Sequence, residues 1–313
     1  MGMAAPTLAA HGTAAQHQRF LRPLYAGEKW CQLFSEPGAG SDLASLATRA
    51  RRDGDGWVVT GQKVWSTLAH EARWGLLIAR TDPDLPKHQG LAYFICDMQA
   101  AGVEVRALRQ ITGDAEFNEV YLTDVRLGDD LRLGDVGEGW RVAMTTLLHE
   151  RVAVTGGRRS TRGAGVIDDA VRLYREHCGA DAARREELMR LWVDAEVLRL
   201  AKLRAADLRR QGRAGPEGPM FKVGWARLNQ RITEYCLRAV GPAATLYPPG
   251  YDRLATDDDP AADIRYRFLR VRANSIEGGT SEVVRNTVAE RGLGLPPEPR
   301  SDKDTPWRLT ARS

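Results

Sequence analysis

The feature that most constrains the fold is a change in the spacing of apolar residues between residues 128 and 137. Before it, short apolar runs such as "GWVVTGQKVW" (56–65), "WGLLIAR" (74–80) and "GLAYFICDM" (90–98) are separated by turn residues. That pattern is typical of antiparallel strands. From Gly137 onward, apolar residues recur at helical spacing, as in "RREELMRLWVDAEVLRLAKLRAADLRR" (184–210). The sequence therefore predicts an α+β chain, with a β domain followed by a bundle of long helices.

The same patterns divide the chain into four segments. Residues 1–30 are predicted to be the end of a helical region, 31–130 the β domain, 131–296 the helical domain and 297–313 a polar, loose tail. Within the helical domain, "GPEGP" (215–219) predicts a break between two helices. The proline-rich stretch "YPPGYDRLATDDDP" (247–260) predicts a loop. A chain of 313 residues is long enough for more than one packed unit.

Composition excludes several classes of function. The formal net charge is only +4 and no nucleic-acid-reading motif is present, so we expect no nucleic-acid partner. No apolar run approaches the roughly 18 residues of a membrane span, and the N-terminal segment lacks the pattern of a signal peptide. The four cysteines are far apart and the six histidines are scattered, which indicates reduced thiols in a cytoplasmic protein and no metal site. Two basic clusters (156–163 and 208–213) indicate either solvated surface or contact with a polyanion such as coenzyme A.

One short stretch, "LFSEPGAGSDLA" (33–44), combines proline, glycine and polar residues between apolar ones. It is neither a P-loop nor a dinucleotide-binding glycine motif, because GxxxxGK[ST] is absent and "GAGSDL" lacks the third glycine. Taken alone, the stretch favours a tight turn. It is followed by "GQKVWST" (61–67), "HERVAV" (149–154) and "IEGGTSEVVRN" (276–286).

In this order and at this spacing, these motifs resemble those of the acyl-CoA dehydrogenase family, and the resemblance extends from about residue 11 to residue 296. The resemblance implies a central antiparallel β-barrel-like domain followed by a C-terminal four-helix bundle, with FAD between them. It also implies α,β-dehydrogenation of an acyl-CoA thioester in lipid metabolism. In that reaction a glutamate removes the α-proton and the flavin accepts the β-hydride. Electrons then pass to an electron-transfer flavoprotein, and members assemble into homo- or hetero-oligomers.

The resemblance also implies roles for individual residues in the matching motifs. Ser41 would lie near the thioester or pantetheine arm of the substrate. Glycine neighbours without a Cβ allow the backbone of this stretch to approach a ligand closely. Thr280 would cap the last helix, whose free N–H groups would face the FAD pyrophosphate, with Glu282 at the same end. The residues expected to contact FAD are Gln32, Phe34, Ser35, Trp65, Ser66, Thr67, Thr280 and Glu282. Each motif also has a purely structural alternative. These are a simple turn for the first motif, a strand end with a buried Trp for the second and an ordinary helix cap for the last.

The family places its catalytic glutamate at either of two positions, and this sequence has a candidate for each. Glu150, followed by Arg151, matches the position in the first bundle helix without a gap. At the other position, counting back from Thr280 leads to Gly278, so Glu277 fits only with a one-residue insertion. Glu150 also shares a helical face with apolar residues, where a carboxylate is costly unless it is used or paired. We therefore predict Glu150 as the base and Glu277 as the alternative, with Arg151 and Gly278 beside the substrate.

The sequence departs from the family pattern in two places. Residues 1–30 match only the end of the helical domain that normally precedes the β domain, so we expect either a late start assignment or a truncated chain. Residues 175–187 do not match the segment that many members supply to the FAD of a neighbouring subunit. These departures leave open a non-catalytic or FAD-deficient partner subunit, and a flavin oxidase is a third alternative.

Overall fold

The computed structural model describes residues 2–155, 161–212, 215, 217–246, 263–299 and 302–310. The chain divides into two compact units. The first consists of Met1–Gln110, Ala115–Ala153 and Glu298–Ser313. The second consists of Ile111–Asp114 and Val154–Pro297. In the described part of the chain, no helix is both long enough and apolar enough to cross a membrane.

The first unit is built on an eight-stranded sheet. Its strands are β1 (Trp30–Leu33), β2 (Arg49–Asp53), β3 (Gly56–Thr67), β4 (Trp74–Arg80), β5 (Leu91–Asp97), β6 (Val103–Leu108), β7 (Phe117–Gly128) and β8 (Arg132–Leu133). Their order is β6-β7-β3-β2-β4-β5-β8, and β1 pairs with β4. The predicted β domain is confirmed, although β1 and β2 pair with β4 in parallel. Among the described residues the sheet does not close, so the barrel-like closure is not seen.

Three helices belong wholly or mainly to the first unit: α1 (Ala4–His11), α2 (Ala14–Tyr25) and α3 (Gly139–Thr155). A capping box between Thr13 and Gln16 begins α2. Phe20 of α2 is buried and meets the rings of Trp30 and Trp74 edge-on, at centroid distances of 5.5 and 5.1 Å. Since such packing joins helix and sheet in one core, the helical segment predicted at residues 1–30 is an integral part of this unit.

Residues 302–310 do not form the loose tail that the sequence predicted. Trp307 is buried, and its backbone N–H donates to the carbonyl of Leu85. The N–H of Arg308 donates to the carbonyl of Pro83, and a bridge pairs Pro86 with Pro306. This segment is therefore held to the loop between β4 and β5 by backbone hydrogen bonds, which the polar composition of the tail did not indicate.

The second unit contains the helices α4 (Val166–His177), α5 (Ala182–Arg210), α6 (Glu217–Val240), α7 (Ile264–Arg270) and α8 (Ser281–Thr287). The predicted break at "GPEGP" is confirmed by the end of α5 and the start of α6. Helices α4, α5 and α6 pack around a core that includes Leu173, Leu191 and Ile232. The predicted loop at 247–260 lies outside the described residues. A four-helix bundle stays a prediction, because most of α3 belongs to the first unit.

Candidate active site

The stretch that links β1 to β2 forms a hydrogen-bonded turn. The N–H of Glu36 donates to the carbonyl of Ala39 at 3.1 Å, and the N–H of Ala39 donates back to Glu36 at 3.0 Å. Ser41 is exposed beyond this turn, and a Cβ added at Gly40 would meet no atom within 4 Å. The turn predicted from the residues alone is therefore present, and its backbone is open to approach from one side.

A buried ion pair anchors this turn to β3. The ammonium of Lys63 donates to Glu36 Oε1 at 2.8 Å and to the carbonyl of Phe34 at 3.0 Å. Glu36 also accepts the N–H groups of Ala47 and Thr48. Burial opposes ionisation of Glu36, but the Lys63 charge and these hydrogen bonds outweigh it and hold the pKa of Glu36 below its usual value. The carboxylate is therefore a structural group that fixes the loop.

The first two motifs lie side by side in the first unit. The N–H of Val64 donates to the carbonyl of Ser35 at 2.9 Å, which places Phe34 and Ser35 next to the end of β3. Phe34 is buried and packs edge-on against Tyr93, at 5.8 Å between ring centroids. The structure thus brings together residues that are about 30 positions apart in sequence.

The end of β3 has an unusual backbone conformation. Trp65 and Leu68 have φ values of +62° and +53°, a region that residues other than glycine seldom occupy. Their side chains are 56% and 38% exposed, and Thr67 is exposed as well. Ser66 is buried instead, and in the described part of the chain its hydroxyl has no hydrogen-bond partner. Strained backbone that presents apolar surface is a common mark of a ligand site.

Asn118, on β7, holds this strained segment in place. Its side chain is fully buried, and its amide nitrogen donates to the carbonyls of Ser66 at 3.0 Å and Glu116 at 3.1 Å. Those two acceptors leave the amide oxygen to face Nδ1 of His70, at 3.1 Å. The N–H of Leu68 is also satisfied, by the carbonyl of Glu116. Sequence reasoning missed Asn118, because one Asn on an alternating strand carries no local signal.

Glu150 lies on α3 within the first unit and is half-buried. Its Oε2 is 3.5 Å from the side-chain amide nitrogen of Gln32 on β1. Gln32 is two residues before Phe34, so α3 brings this carboxylate to the strand that leads into the turn. Both predicted residues are therefore in contact, which the sequence alone did not specify.

A chain of buried hydroxyl groups fixes the rotation of α3 one turn before Glu150. Thr146 Oγ1 is 2.9 Å from Tyr93 Oη and 2.9 Å from Thr7 Oγ1. Burial raises the pKa of the Tyr93 hydroxyl. The three hydrogen-bonded hydroxyl groups are therefore uncharged. At the start of α3, a Cβ on Gly139 would lie 2.6 Å from the Cα of Ala92, so the helix packs directly on β5.

In the second unit, the predicted cap of the last helix is confirmed. Thr280 Oγ1 accepts the N–H of Val283 at 3.3 Å at the start of α8. Glu282 is exposed in the first turn, and its carboxylate accepts a hydrogen bond from Arg285 at 3.3 Å. Their roles beside FAD stay predictions.

The alternative base, Glu277, is held by an arginine. Arg270 donates to both of its carboxylate oxygens, at 3.2 and 3.0 Å. The following residue, Gly278, is exposed with φ +63°, and Lys222 donates to the carbonyl of Gly279. A glutamate at position 278 would be strained in this left-handed conformation. The backbone of Arg151 is helical, but its side chain lies outside the described part of the structure.

None of the four cysteines forms a disulfide, and Cys31, Cys96 and Cys236 are buried. Burial raises the pKa of each of these three thiols to about 12, which makes them unreactive. The predicted reduced, buried thiols are thus confirmed at these three positions, and Cys178 is partly buried.

Two family models match the chain. Residues 31–125 match "Acyl-CoA dehydrogenase, middle domain", and residues 137–293 match "Acyl-CoA dehydrogenase, C-terminal domain". Together they include the β domain and the helices that follow it.

Curated relatives and solved structures are similar along most of the chain. Acyl-CoA dehydrogenase FadE34 of Mycobacterium tuberculosis is 42% identical over 94% of this chain, which spans 39% of FadE34. Acyl-CoA dehydrogenase IpdE1 of the same organism is 40% identical over 94% of this chain, which spans 74% of IpdE1. A structure described as the Tcur3481-Tcur3483 steroid ACAD has 28% identity and a TM-score of 0.83, over 95% of this chain and 76% of its own.

Proposed function

This chain belongs to the acyl-CoA dehydrogenase family, and from that premise we propose that it takes part in FAD-dependent α,β-dehydrogenation of an acyl-CoA thioester. Glu150 is proposed as the base, and an electron-transfer flavoprotein as the electron acceptor. The observation that carries the proposal is the contact between Glu150 and Gln32, next to the turn and strand end that match the family's flavin motifs.

The residues of the first unit fit a flavin. Trp65 offers an exposed apolar ring, and Thr67 offers an exposed hydroxyl two residues further on. The flavin, when bound, accepts the hydride and so supplies the redox chemistry that no side chain here can provide. Since the hydroxyl of Ser66 is buried, Thr67 is the better candidate for a hydrogen bond to the ring, and Ser66 would contribute through its backbone.

Glu150 suits the role of base better than Glu277. A general base must reach the proton that it removes, and its carboxylate must be available to accept it. Glu277 would first have to give up a bidentate ion pair with Arg270, which is among the stronger contacts of this kind. Glu150 matches the family's position without a gap, and its Oε2 lies 3.5 Å from the side-chain amide nitrogen of Gln32, beside the segment that matches the first flavin motif.

An anaerobic absorbance titration of the purified flavoprotein tests the proposal. We expect a CoA thioester from a panel of straight-chain, branched and steroid-derived compounds to bleach the flavin absorbance. Glu150→Gln should abolish the bleaching while leaving the flavin bound, whereas Glu277→Gln should still bleach. If only the Glu277→Gln variant loses the bleaching, Glu277 is the base instead of Glu150. A chain that retains no FAD would contradict the proposal.

A second candidate function is that of one subunit in a mixed assembly of chains with this fold. The similar steroid ACAD structure is described by two component names, Tcur3481 and Tcur3483, which supports this alternative. If the chain alone binds no FAD, the same titration repeated after mixing with a candidate partner chain distinguishes the alternatives. Flavin binding that appears only in the mixture would establish the subunit role.

A further inference from the structure

The loop of residues 40–46, which carries Ser41, is held differently at its two ends. At the far end, the guanidinium of the buried Arg80 donates to two backbone carbonyls of the loop, at 2.5 and 3.1 Å. At the near end, Ser41 and Asp42 are both exposed. Since these two residues are adjacent in the chain, the contacts of the Asp42 side chain bear directly on the position of Ser41.

The carboxylate of Asp42 is held by two groups. Its Oδ2 accepts the hydroxyl of Ser45 at 2.5 Å and the ammonium of Lys87 at 3.0 Å. The contact with Ser45 lies inside the loop itself, within one 3-10 turn, whereas Lys87 belongs to the connection between β4 and β5. Lys87 therefore ties the exposed end of the loop to a different part of the first unit.

Lys87 is itself fixed at both its side chain and its backbone. Its ammonium lies 2.7 Å from Asp302 Oδ2, and its carbonyl accepts both terminal nitrogens of Arg80 at 3.3 Å. The side chain is only 14% exposed, so the two carboxylates compensate a charge that is largely withdrawn from water. Arg80 thus holds both the far end of the loop and the backbone of Lys87.

Asp302 belongs to the segment 302–310, which is anchored to the same connection. The buried indole of Trp307 donates to the carbonyl of Ser45, and the guanidinium of Arg308 is paired with Asp84. The ion pairs through Lys87 extend this anchoring as a line of alternating charge, which runs from Asp302 to the residue that follows Ser41.

We propose that Lys87 is a positioning residue for substrate binding, which transmits the anchoring of segment 302–310 to Ser41 through Asp302 and Asp42. This inference rests on the proposed function and on the predicted place of Ser41 beside the pantetheine arm of the acyl-CoA. Without the lysine charge, the substrate would have to order the near end of the loop when it binds. That cost is the same in the bound ground state and in the transition state, so it raises KM and leaves kcat unchanged.

Steady-state kinetics of the full flavoprotein test this role, with the CoA thioester that bleaches its flavin and a dye as electron acceptor. Lys87→Met keeps the apolar part of the side chain and removes the charge. We expect it to raise KM about fivefold or more and to change kcat by less than about twofold. Lys87→Arg, which can still pair with both carboxylates, should have a KM close to that of the original chain.

Two further variants test the path through the segment 302–310. Asp302→Asn should also raise KM, and its effect should not add fully to that of Lys87→Met in the double variant, because both changes break one network. Asp302→Asn keeps the test valid if Lys87→Met does not fold. Lys303→Met, which changes an exposed lysine in the same segment, is the matched control and should leave KM unchanged.

Hydrogen exchange measured by mass spectrometry gives a readout that needs no turnover. The N–H of Ser45 donates to the carbonyl of Asp42 at 3.0 Å, so its exchange rate reports whether the loop is held. In Lys87→Met, we expect the peptide that contains this amide to exchange about fivefold faster or more. The peptide that contains Ala39, in the preceding turn, should keep its original rate.

The outcomes separate this inference from the proposed function. If a thioester bleaches the original chain but Lys87→Met has an unchanged KM, or an unchanged exchange rate at Ser45, the positioning role is overturned and the proposed function stands. An equal rise of KM in Lys303→Met would overturn it as well. If no thioester bleaches the original chain, the proposed function is contradicted and the substrate role of Lys87 with it.

Discussion

The Lys63 ammonium lies 2.8 Å from Glu36 Oε1, and both side chains are buried beneath the turn that follows β1. Glu36 belongs to the turn and Lys63 to β3, so this ion pair ties together the two segments that carry Phe34–Ser35 and Trp65–Thr67. Lys63 also donates to the carbonyl of Phe34. The pair therefore sets the position of the proposed flavin-contacting backbone without being exposed to a ligand itself.

Replacing Lys63 by Met is expected to destabilise the chain by about 3–5 kcal/mol, because it leaves the Glu36 carboxylate buried without its cation. Urea unfolding followed by circular dichroism measures the change. The double variant Lys63→Met, Glu36→Gln should recover much of the loss, since no buried charge then remains uncompensated. If Lys63→Met unfolds at the same urea concentration as the original chain, the ion pair does not have this structural role.

Acid is expected to destabilise the first unit. Hydrogen bonds from Arg132, together with Trp57 and the nearby Arg52, hold the pKa of Asp129 well below its usual range, and the pKa of Glu36 is also lowered. A carboxyl group with a lowered pKa stabilises the folded state fully above its unfolded pKa of about 4, and this contribution is lost as the pH falls below that value.

The melting temperature, measured between about pH 7 and pH 3, tests this expectation. We expect it to fall steeply below about pH 5. Asp129→Asn should lower the melting temperature at neutral pH and flatten the fall in acid. Asp55→Asn, on an exposed turn, is the control and should leave the profile unchanged. A profile for Asp129→Asn that runs parallel to that of the original chain would contradict the assignment.

Asn118→Asp should disturb the strained segment at Trp65–Leu68. The substitution keeps the size of the side chain but turns the group that donates to Ser66 and Glu116 into an acceptor. We expect a loss of about 1–3 kcal/mol, as for other buried groups left without a partner, together with weaker FAD retention. Thermal melts and the flavin-to-protein absorbance ratio measure both effects.

His70→Ala provides the comparison for Asn118→Asp. It removes the contact at the amide oxygen of Asn118 and an exposed contact with Glu71, but the amide donor to Ser66 and Glu116 remains in place. Its effect on stability and flavin content should accordingly be smaller. If both variants lose the same amount of flavin, the contact between Asn118 and His70 is what matters for flavin retention, and not the hydrogen bond from Asn118 to the carbonyl of Ser66.

The sequence predicted a β region followed by long helices, because the spacing of apolar residues changes between the two regions. It could not predict that β1 and β2 pair in parallel with β4, since pairing between distant strands leaves no local pattern. It likewise did not indicate that most of α3 packs with the sheet, because a helix with one apolar face can bury it against either domain.

For the candidate site, the motif resemblance identified the residues but not the contacts that hold them in place. Glu36 and Lys63 lie inside the recognised motifs, yet nothing in their spacing shows that they pair across 27 positions. Glu150 and Glu277 were both open from the sequence. In the structure, Glu150 contacts the side-chain amide of Gln32 and Glu277 contacts the guanidinium of Arg270, and the choice of Glu150 as the base stays a prediction.

Trp307 is the residue through which the C-terminal segment is fixed to the β domain. Its indole N–H donates to the carbonyl of Ser45 at 3.1 Å, and the guanidinium of the buried Arg80 lies 4.3 Å from the centre of its ring. Arg80 in turn donates to the carbonyls of Ala44 and Leu46, in the segment that follows Ser41. A buried Trp thus joins the chain end to the proposed substrate loop.

Trp307→Ala should release residues 302–310 from the β domain. The expected loss in free energy of unfolding is about 3 kcal/mol, at the lower end of the range for a buried Trp. The loss is at the lower end because a terminal segment can detach without unfolding the sheet. Limited trypsin digestion measures the release, since cleavage after Arg308 should become faster. Trp307→Phe keeps the ring over Arg80 and loses only the hydrogen bond to Ser45, so its cleavage rate should stay close to that of the original chain. Equal cleavage rates for the Ala and Phe variants would show that the ring does not hold the segment.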